Sequence, residues 1–512
     1  MLTGSDRPII AKLPRSLTSS GAIALAVCLL VILAYVPLSF FRFAFADDYT
    51  YLMLHAFRSR NPFFAGDGRP FGGLLAVALF TTFDTISSAA ILRLIGLSEL
   101  IVVLILVQRA AVIAGLDALW AAFVAVAFAA APSIQHWVVW GVSSWQFAAL
   151  ILGVAAFYPW RTLTDVNGKL SVGSLVCFFG FPLLAMFTYQ PFATAAWPLI
   201  ALDILMKGED RVPYRKIIIA VAAFCAMLLL SFLVSKVLLA TLVPIDRKVR
   251  IAVVGLREIP ERLEWFFREP LMTALTPLRI QGDPLVASTV AGIILIGLVI
   301  GARSVTGVGL ALLITLSTLV LASLPSLIPA ENTPIRSHVV VALQVFVMLG
   351  LALQRIAGRM KLAGPALVAA IVSCCFALAI WASSTVIRYN AFPQALELAL
   401  IERALAAAKL PDSGPIVLIA PPPGSSIAGG YCDNSDTMGC VSSTRAYYLA
   451  NLVKLWMREH GIDPARYKVL LVYSKDDAQA DWFQAARTTS VPVPDDAYFL
   501  DLASIVLGRA PP

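Results

Sequence analysis

The chain has 512 residues, 59% of them hydrophobic and 14% charged, with a net charge of +8 and a mean hydropathy of +0.83. A water-soluble fold of this length has no way to solvate so much apolar surface, which excludes a globular cytosolic enzyme and leaves an integral membrane protein. The excess of Lys and Arg lies before residue 388 and the tail is slightly acidic, so the charge belongs to a membrane surface and gives no ground for nucleic-acid binding.

Arg7, Lys12 and Arg15 precede a hydrophobic run that continues to about Phe41. A signal peptide would end sooner, at a small-residue cleavage site, so this run reads as an uncleaved first span. Further apolar runs recur to residue 384. They are long enough to cross a hydrocarbon core of roughly 30 Å and lack strand-like alternation, so they read as helices and not as a barrel. About eleven spans are expected, near 19–41, 86–108, 111–131, 141–159, 170–189, 191–206, 216–240, 285–302, 304–324, 338–355 and 363–384.

With the N-terminus inside, the inner loops hold Arg109, 161–169, 207–216, Arg303 and 355–361, each with Arg or Lys. This satisfies the positive-inside rule, which was not used to place the spans. Residues 71–85, GGLLAVALFTTFDTI, decide the parity. They are apolar but short, and read as an interfacial or re-entrant helix. The expected fold is an all-α polytopic membrane domain, 1–384, followed by a small extracytoplasmic α/β domain, 385–512. In the tail, 415–423, 467–474 and 497–503 read as strands, and 394–409 and 444–459 as amphipathic helices.

The first outer loop reads FRFAFADDYTYLMLHAFRSRNPFFAGDGRPFGG. Asp47 and Asp48 follow the first span directly. Adjacent carboxylates at a membrane surface repel, so one tends to hold its proton more tightly and suits general-base work on a hydroxyl. The plainer reading is a solvated loop start, or a cap for a helix over 49–57. Arg69, in the turn GDGRP, offers a fork of donors for a carboxylate or a phosphate, or snorkels to lipid headgroups.

Other outer cations are Arg247, Lys248, Arg250, Arg257, Arg279, Arg336 and His338. DRKVR at 246–250 leads into the amphipathic REIPERLEWFFREP, fit to lie on the membrane and gate lipid access, or to sit there passively. Trp137, Trp140 and Trp145, around His136, read as an interfacial aromatic belt before a sugar-stacking platform. Cys432 and Cys440, in a polar loop, are disulfide candidates if that loop is outside the cytoplasm, and otherwise free thiols. The other five cysteines lie in apolar runs. No zinc pattern or phosphate-binding Gly-rich loop occurs, so no cofactor is expected beyond a weakly held divalent cation at the Asp pair.

A first span, an Asp-Asp pair in the first outer loop and then Gly68-Arg69-Pro70 before a short apolar helix resemble the bacterial glucosyltransferase II family. That family belongs to the polytopic glycosyltransferase C superfamily. TYQP at 188–191 resembles a Tyr-Gln motif of the same family, carried here by Tyr189 and Gln190. The resemblance covers about residues 20–85, with weaker support to 191.

The resemblance implies a bacterial inner-membrane enzyme with a polyprenyl-phosphate sugar as donor and a glycan or lipid as acceptor. One of Asp47 and Asp48 would activate the acceptor hydroxyl, with Asp48 favoured. Arg69, Tyr189 and Gln190 would bind substrate and phosphate. Independently of the resemblance, the outer cations Arg247, Arg250, Arg336 and His338 could compensate leaving-group charge, Arg336 reading equally as a snorkelling anchor at the start of a span. The alternatives are a transporter or flippase of a lipid-linked or small polar substrate, to which Arg93 and Glu99 point, and a non-catalytic protein of envelope-polysaccharide assembly.

Overall fold

The computed structural model describes residues 20–45, 47–53, 68–164, 169–208, 212–242, 255–276, 282–328, 335–421, 425, 427, 442–444, 446–473 and 497–507. The first half of the membrane part comprises α1 Ser20–Tyr35, α2 Asp48–Tyr51, α3 Pro70–Thr82, α4 Ala89–Ala114, α5 Ala118–Ala129, α6 Pro132–Val139 and α7 Ser143–Ala155. The second half comprises α8 Val172–Tyr189, α9 Trp197–Lys207, α10 Tyr214–Leu242, α11 Ile259–Phe266, α12 Pro284–Gly301, α13 Val305–Leu327, α14 Val339–Arg359, α15 Pro365–Val386 and α16 Phe392–Ala407.

Among the described residues eight helical segments are long and apolar enough to cross a membrane, or nine if the bent pair α5 and α6, meeting at 58°, is one span. Hydropathy gave eleven. The expected span at 141–159 is covered by α7 and a further helical turn, Phe157–Arg161, and that at 191–206 by the 11-residue α9. Prolines mark two breaks in the apolar stretches. Pro132 sits at the start of α6 and Pro191 within the 3-10 turn Gln190–Phe192, where each lacks the N–H that would continue the preceding helix.

Helix α14 is the central post. Of the apolar window of its span, 78% is buried, against 22–44% for the other seven. The outer helices expose apolar stripes, such as Leu25, Leu29 and Leu33 on α1 or Leu313, Leu316 and Val320 on α13. Such faces are stable only against lipid. Close approach uses small residues: a Cβ at Gly297 of α12 would overlap the backbone of Ala352 in α14, and one at Gly301 would overlap the Arg355 guanidinium.

Helix α3, within the segment that decides the parity, is 13 residues long. The chain before and after it stays at one end of the bundle, because Arg42 Nε donates to Ser87 Oγ at 3.1 Å. Helix α3 therefore does not carry the chain across. It lies on α7 and α8, with Gly72 set against the Thr188 carbonyl and the Trp145 ring.

The tail forms a three-stranded parallel sheet in the order β2-β1-β3, with β1 Gly414–Ala420, β2 Tyr467–Tyr473 and β3 Tyr498–Asp501. Helix α17, Ala446–Glu459, provides the crossover between β1 and β2. The helix into this unit does not break at residue 385: α15 passes into α16 through a π-helical turn, Ile387–Ala391. Cys432 and Cys440 lie outside the described residues.

Replacing Gly297 with Val is expected to cost about 2 kcal/mol through overpacking against Ala352. Thermal unfolding in detergent checks this, and an unchanged midpoint contradicts the packing described.

Candidate functional site

The acidic pair divides into two unlike carboxylates. Asp48 is fully buried. Its Oδ2 accepts from the backbone N–H of Phe45 at 3.0 Å and of Gly141 at 2.9 Å, and its Oδ1 from the N–H of Val142 at 3.0 Å. Phe45 belongs to the loop after the first span, and Gly141 and Val142 to the turn between α6 and α7. One carboxylate thus joins two segments about ninety residues apart and answers three donors that would otherwise be orphaned in a dry interior.

Burial pushes the Asp48 carboxyl up to about 6, while the N–H groups and nearby Arg93 hold it lower than burial alone would. Arg93, buried at the start of α4, donates to the carbonyls of Phe43 at 2.7 Å and Phe41 at 2.9 Å and lies 3.9 Å over the Phe43 ring. This arginine, which the transport reading took as a sign of a polar path, braces the loop that carries the Asp pair.

Asp47 is only partly buried. Its Oδ1 accepts from the Tyr448 hydroxyl at 2.6 Å. Among the described residues Oδ2 has no hydrogen-bond partner. Helix α17, which carries Tyr448, lies along α2, and Asn451 Nδ2 donates to Thr50 Oγ1 at 3.0 Å. The expected helix over 49–57 appears as α2, Asp48–Tyr51, and residues 54–57 lie outside the described ones.

Gly68-Arg69-Pro70 and Tyr189-Gln190, distant in sequence, meet. Arg69 Nε donates to Gln190 Oε1 at 2.7 Å, Gln190 Nε2 donates to the Gly68 carbonyl at 3.2 Å, and the Arg69 guanidinium lies 4.7 Å over the Tyr189 ring. Gly68 has φ +74, in the left-handed region that glycine tolerates. The two terminal guanidinium nitrogens of Arg69 have no partner among the described residues, which leaves a fork of N–H donors.

A run of aromatic rings joins this turn to the acidic loop. Tyr189 packs on Trp137 at 5.3 Å, Trp137 on Trp140 at 5.3 Å, and Trp140 on Phe45 at 5.6 Å. The Tyr189 hydroxyl bonds Ser337 Oγ at 3.0 Å, the Trp137 indole donates to the Arg336 carbonyl at 2.6 Å, and the Arg336 guanidinium lies 4.5 Å over Trp140.

Trp137, Trp140 and Trp145 are all buried, so they do not form the lipid-facing belt expected from sequence. The sharp bend between α5 and α6 folds this segment inward, beneath the loops. His338 is also buried, edge-on to Trp265 at 5.6 Å, and lines a cavity with Ser133 and Thr273. Arg262 of α11 lies 4.0 Å over Trp265, while Ile259, Leu263 and Phe267 form an exposed apolar stripe along the same amphipathic stretch. Arg247 and Arg250 lie outside the described residues. Among the described residues no group of three or more His, Cys, Asp or Glu is placed to hold a metal.

A separate cationic cluster surrounds buried Asp203 at the C-terminal end of α9. Arg161 and Lys207 pair with it, the latter at 2.8 Å, and Trp160 Nε1 donates to it at 3.1 Å. Arg355 donates to the neighbouring Leu205 carbonyl at 2.9 Å. Helix α9 starts just after the Gln190–Phe192 turn and ends in this cluster, and α14 runs the same way, from beside Arg336 to Arg355. The basic cluster and the acidic loop therefore occupy opposite ends of the bundle.

Fold and composition define a polytopic helical membrane protein with a polar site at one end. Compared with protein-family models and with curated proteins, the chain finds no match.

Sequence reasoning missed Tyr448 and Asn451, because nothing local in α17 announces contact with a loop some 400 residues earlier. Replacing Asp48 with Asn sets an amide N–H₂ against backbone donors, and is expected to cost about 3 kcal/mol. Thermal unfolding in detergent checks this. A midpoint within a degree of the unmodified protein would show that the three bonds do not hold the loop.

Proposed function

We propose that this protein is a membrane glycosyltransferase that moves a sugar from a polyprenyl-phosphate donor to an acceptor hydroxyl, with Asp47 as general base. The observation that carries the reading is the contrast within the acidic pair. Asp48, favoured from sequence, has both oxygens committed to backbone N–H groups, while Asp47 leaves one oxygen without a partner among the described residues. A base must reach the proton that it takes, and only Asp47 meets that condition.

In the proposed step the acceptor O–H gives its proton to Asp47 Oδ2 as its oxygen attacks the anomeric carbon. The bond from that carbon to the lipid phosphate oxygen breaks on the opposite face, and the electron pair leaves with the phosphate, inverting the configuration. Arg69 offers two N–H groups to the charge that develops there, and Arg336 adds positive charge beside the same aromatic run. The acceptor is a glycan or lipid hydroxyl at the membrane surface.

The side of the membrane follows from charge. Arg109, Arg161, Lys207, Arg303 and Arg355 belong to the inner surface by the positive-inside rule. On this reading the Asp47 end, and the tail domain with it, is on the outer face, and the membrane is the bacterial inner membrane that the family resemblance implies.

Replacing Asp47 with Asn is expected to lower sugar transfer about 10²–10⁴-fold, the usual range for loss of a general base, with little change in protein level or thermal stability. Transfer of radiolabelled sugar from polyprenyl phosphate to membrane acceptors measures it. An unmodified protein that transfers nothing but moves lipid-linked sugar between leaflets would establish the transporter reading instead.

A further inference from the structure

The bond between Asp47 and Tyr448 ties the open carboxylate to a domain distant in sequence. We propose that Tyr448 is a positioning residue for Asp47, so that the C-terminal α/β unit completes the transfer site. This inference rests on Asp47 being the base.

An aspartate carboxylate rotates freely about its last torsion, which has broad, roughly two-fold preferences. A base that must present one oxygen to an acceptor hydroxyl gains from a donor fixed on the other oxygen. The Tyr448 hydroxyl meets Oδ1 at 2.6 Å, within the short range of charge-assisted O–H···O⁻ bonds. Oδ2 is left to face the acceptor.

The donor is itself held still. Tyr448 is 2% exposed and starts the buried face of α17, which continues through Leu449, Leu452, Val453, Leu455 and Trp456. The turn just before α17 is fixed by Glu397 of α16, whose fully buried carboxylate accepts from the N–H groups of Ser442 at 2.8 Å and Ser443 at 2.7 Å. At the far end of α17, Glu459 accepts from the Ile86 N–H at 2.6 Å and pairs with Arg42 at 3.3 Å, while Arg42 also pairs with Glu402. Helix α17 is therefore clamped at its start onto α16 and at its end onto the segments that flank the first loop. The Tyr448 hydroxyl is what meets the Asp47 carboxylate directly.

The test uses the full-length protein reconstituted with a polyprenyl-phosphate sugar, comparing Tyr448→Phe, Asp47→Asn, the double variant and Asn451→Leu. Tyr448→Phe is expected to lower kcat ten- to a hundredfold, with KM for the acceptor within twofold. The double variant should be no slower than Asp47→Asn alone, because the hydroxyl acts only through that carboxylate. Asn451→Leu, which removes the neighbouring tether, should lose less than threefold.

A Tyr448→Phe rate equal to the unmodified protein overturns the inference. Additive losses in the double variant, or an Asn451→Leu loss as large as that of Tyr448→Phe, overturn it too, since either would mean docking and not positioning. Should Tyr448→Phe fail to accumulate, Asp47→Glu tests the same contact from the other side: it keeps a carboxylate but displaces it from the hydroxyl, and an undiminished rate rules positioning out. An unmodified protein without transferase activity removes the parent reading and this one together, and that outcome is distinct because no rate exists to compare.

Discussion

The site end of this protein depends on a carboxylate that water does not reach. Asp48 accepts three backbone N–H bonds from two segments. Without it, the loop after the first span and the turn after α6 would each bury unpaired donors. Neither segment has a regular structure of its own at that point, and a membrane interior offers no solvent to compensate. The bond set fixes where the first loop begins and therefore where its neighbour, Asp47, stands.

Around that tie the molecule separates two kinds of surface. Apolar stripes on the outer helices face lipid, and α14 supplies the enclosed post against which the inner helices close. Polar groups gather at the two ends: a buried Asp203 with its cations at one, and at the other a loop carrying two carboxylates of opposite character. Arg69 and Gln190 meet there because the Gly68 turn brings α3 back against the end of α8. The tryptophans that join this turn to the acidic loop form its floor. Their burial packs the arrangement tightly, which suits the proposed role of positioning an acceptor hydroxyl.

Much of the architecture was legible because hydropathy in a membrane protein is a strong and local signal. The helices near 19–41, 86–108, 216–240, 285–302 and 338–355 needed only runs of apolar residues. The strands of the tail were equally plain from the β-branched runs of β1 and β2. Hydropathy could not see that Pro132 and Pro191 interrupt apolar stretches. The acidic pair was visible as a pair, but its division of labour was not. That division comes from which side chain turns toward the N–H groups of Gly141 and Val142, a long-range fact absent from the local sequence. The tryptophans misled for a related reason: an aromatic cluster next to a predicted outer turn has the composition of a belt, and only the bend before α6 puts it inside. Tyr448 carried no signal at all, because a tyrosine on an amphipathic helix is ordinary core.

The central claim is that the lipid phosphate is received at the Asp47 end of the bundle. A cryo-EM structure of the protein in nanodiscs with a non-hydrolysable polyprenyl-phosphate sugar tests it most directly. The account predicts the phosphate against the open edge of the Arg69 guanidinium, with the sugar on the side of Asp47. A phosphate bound at the other end, among Arg161, Lys207 and Arg355, would contradict it.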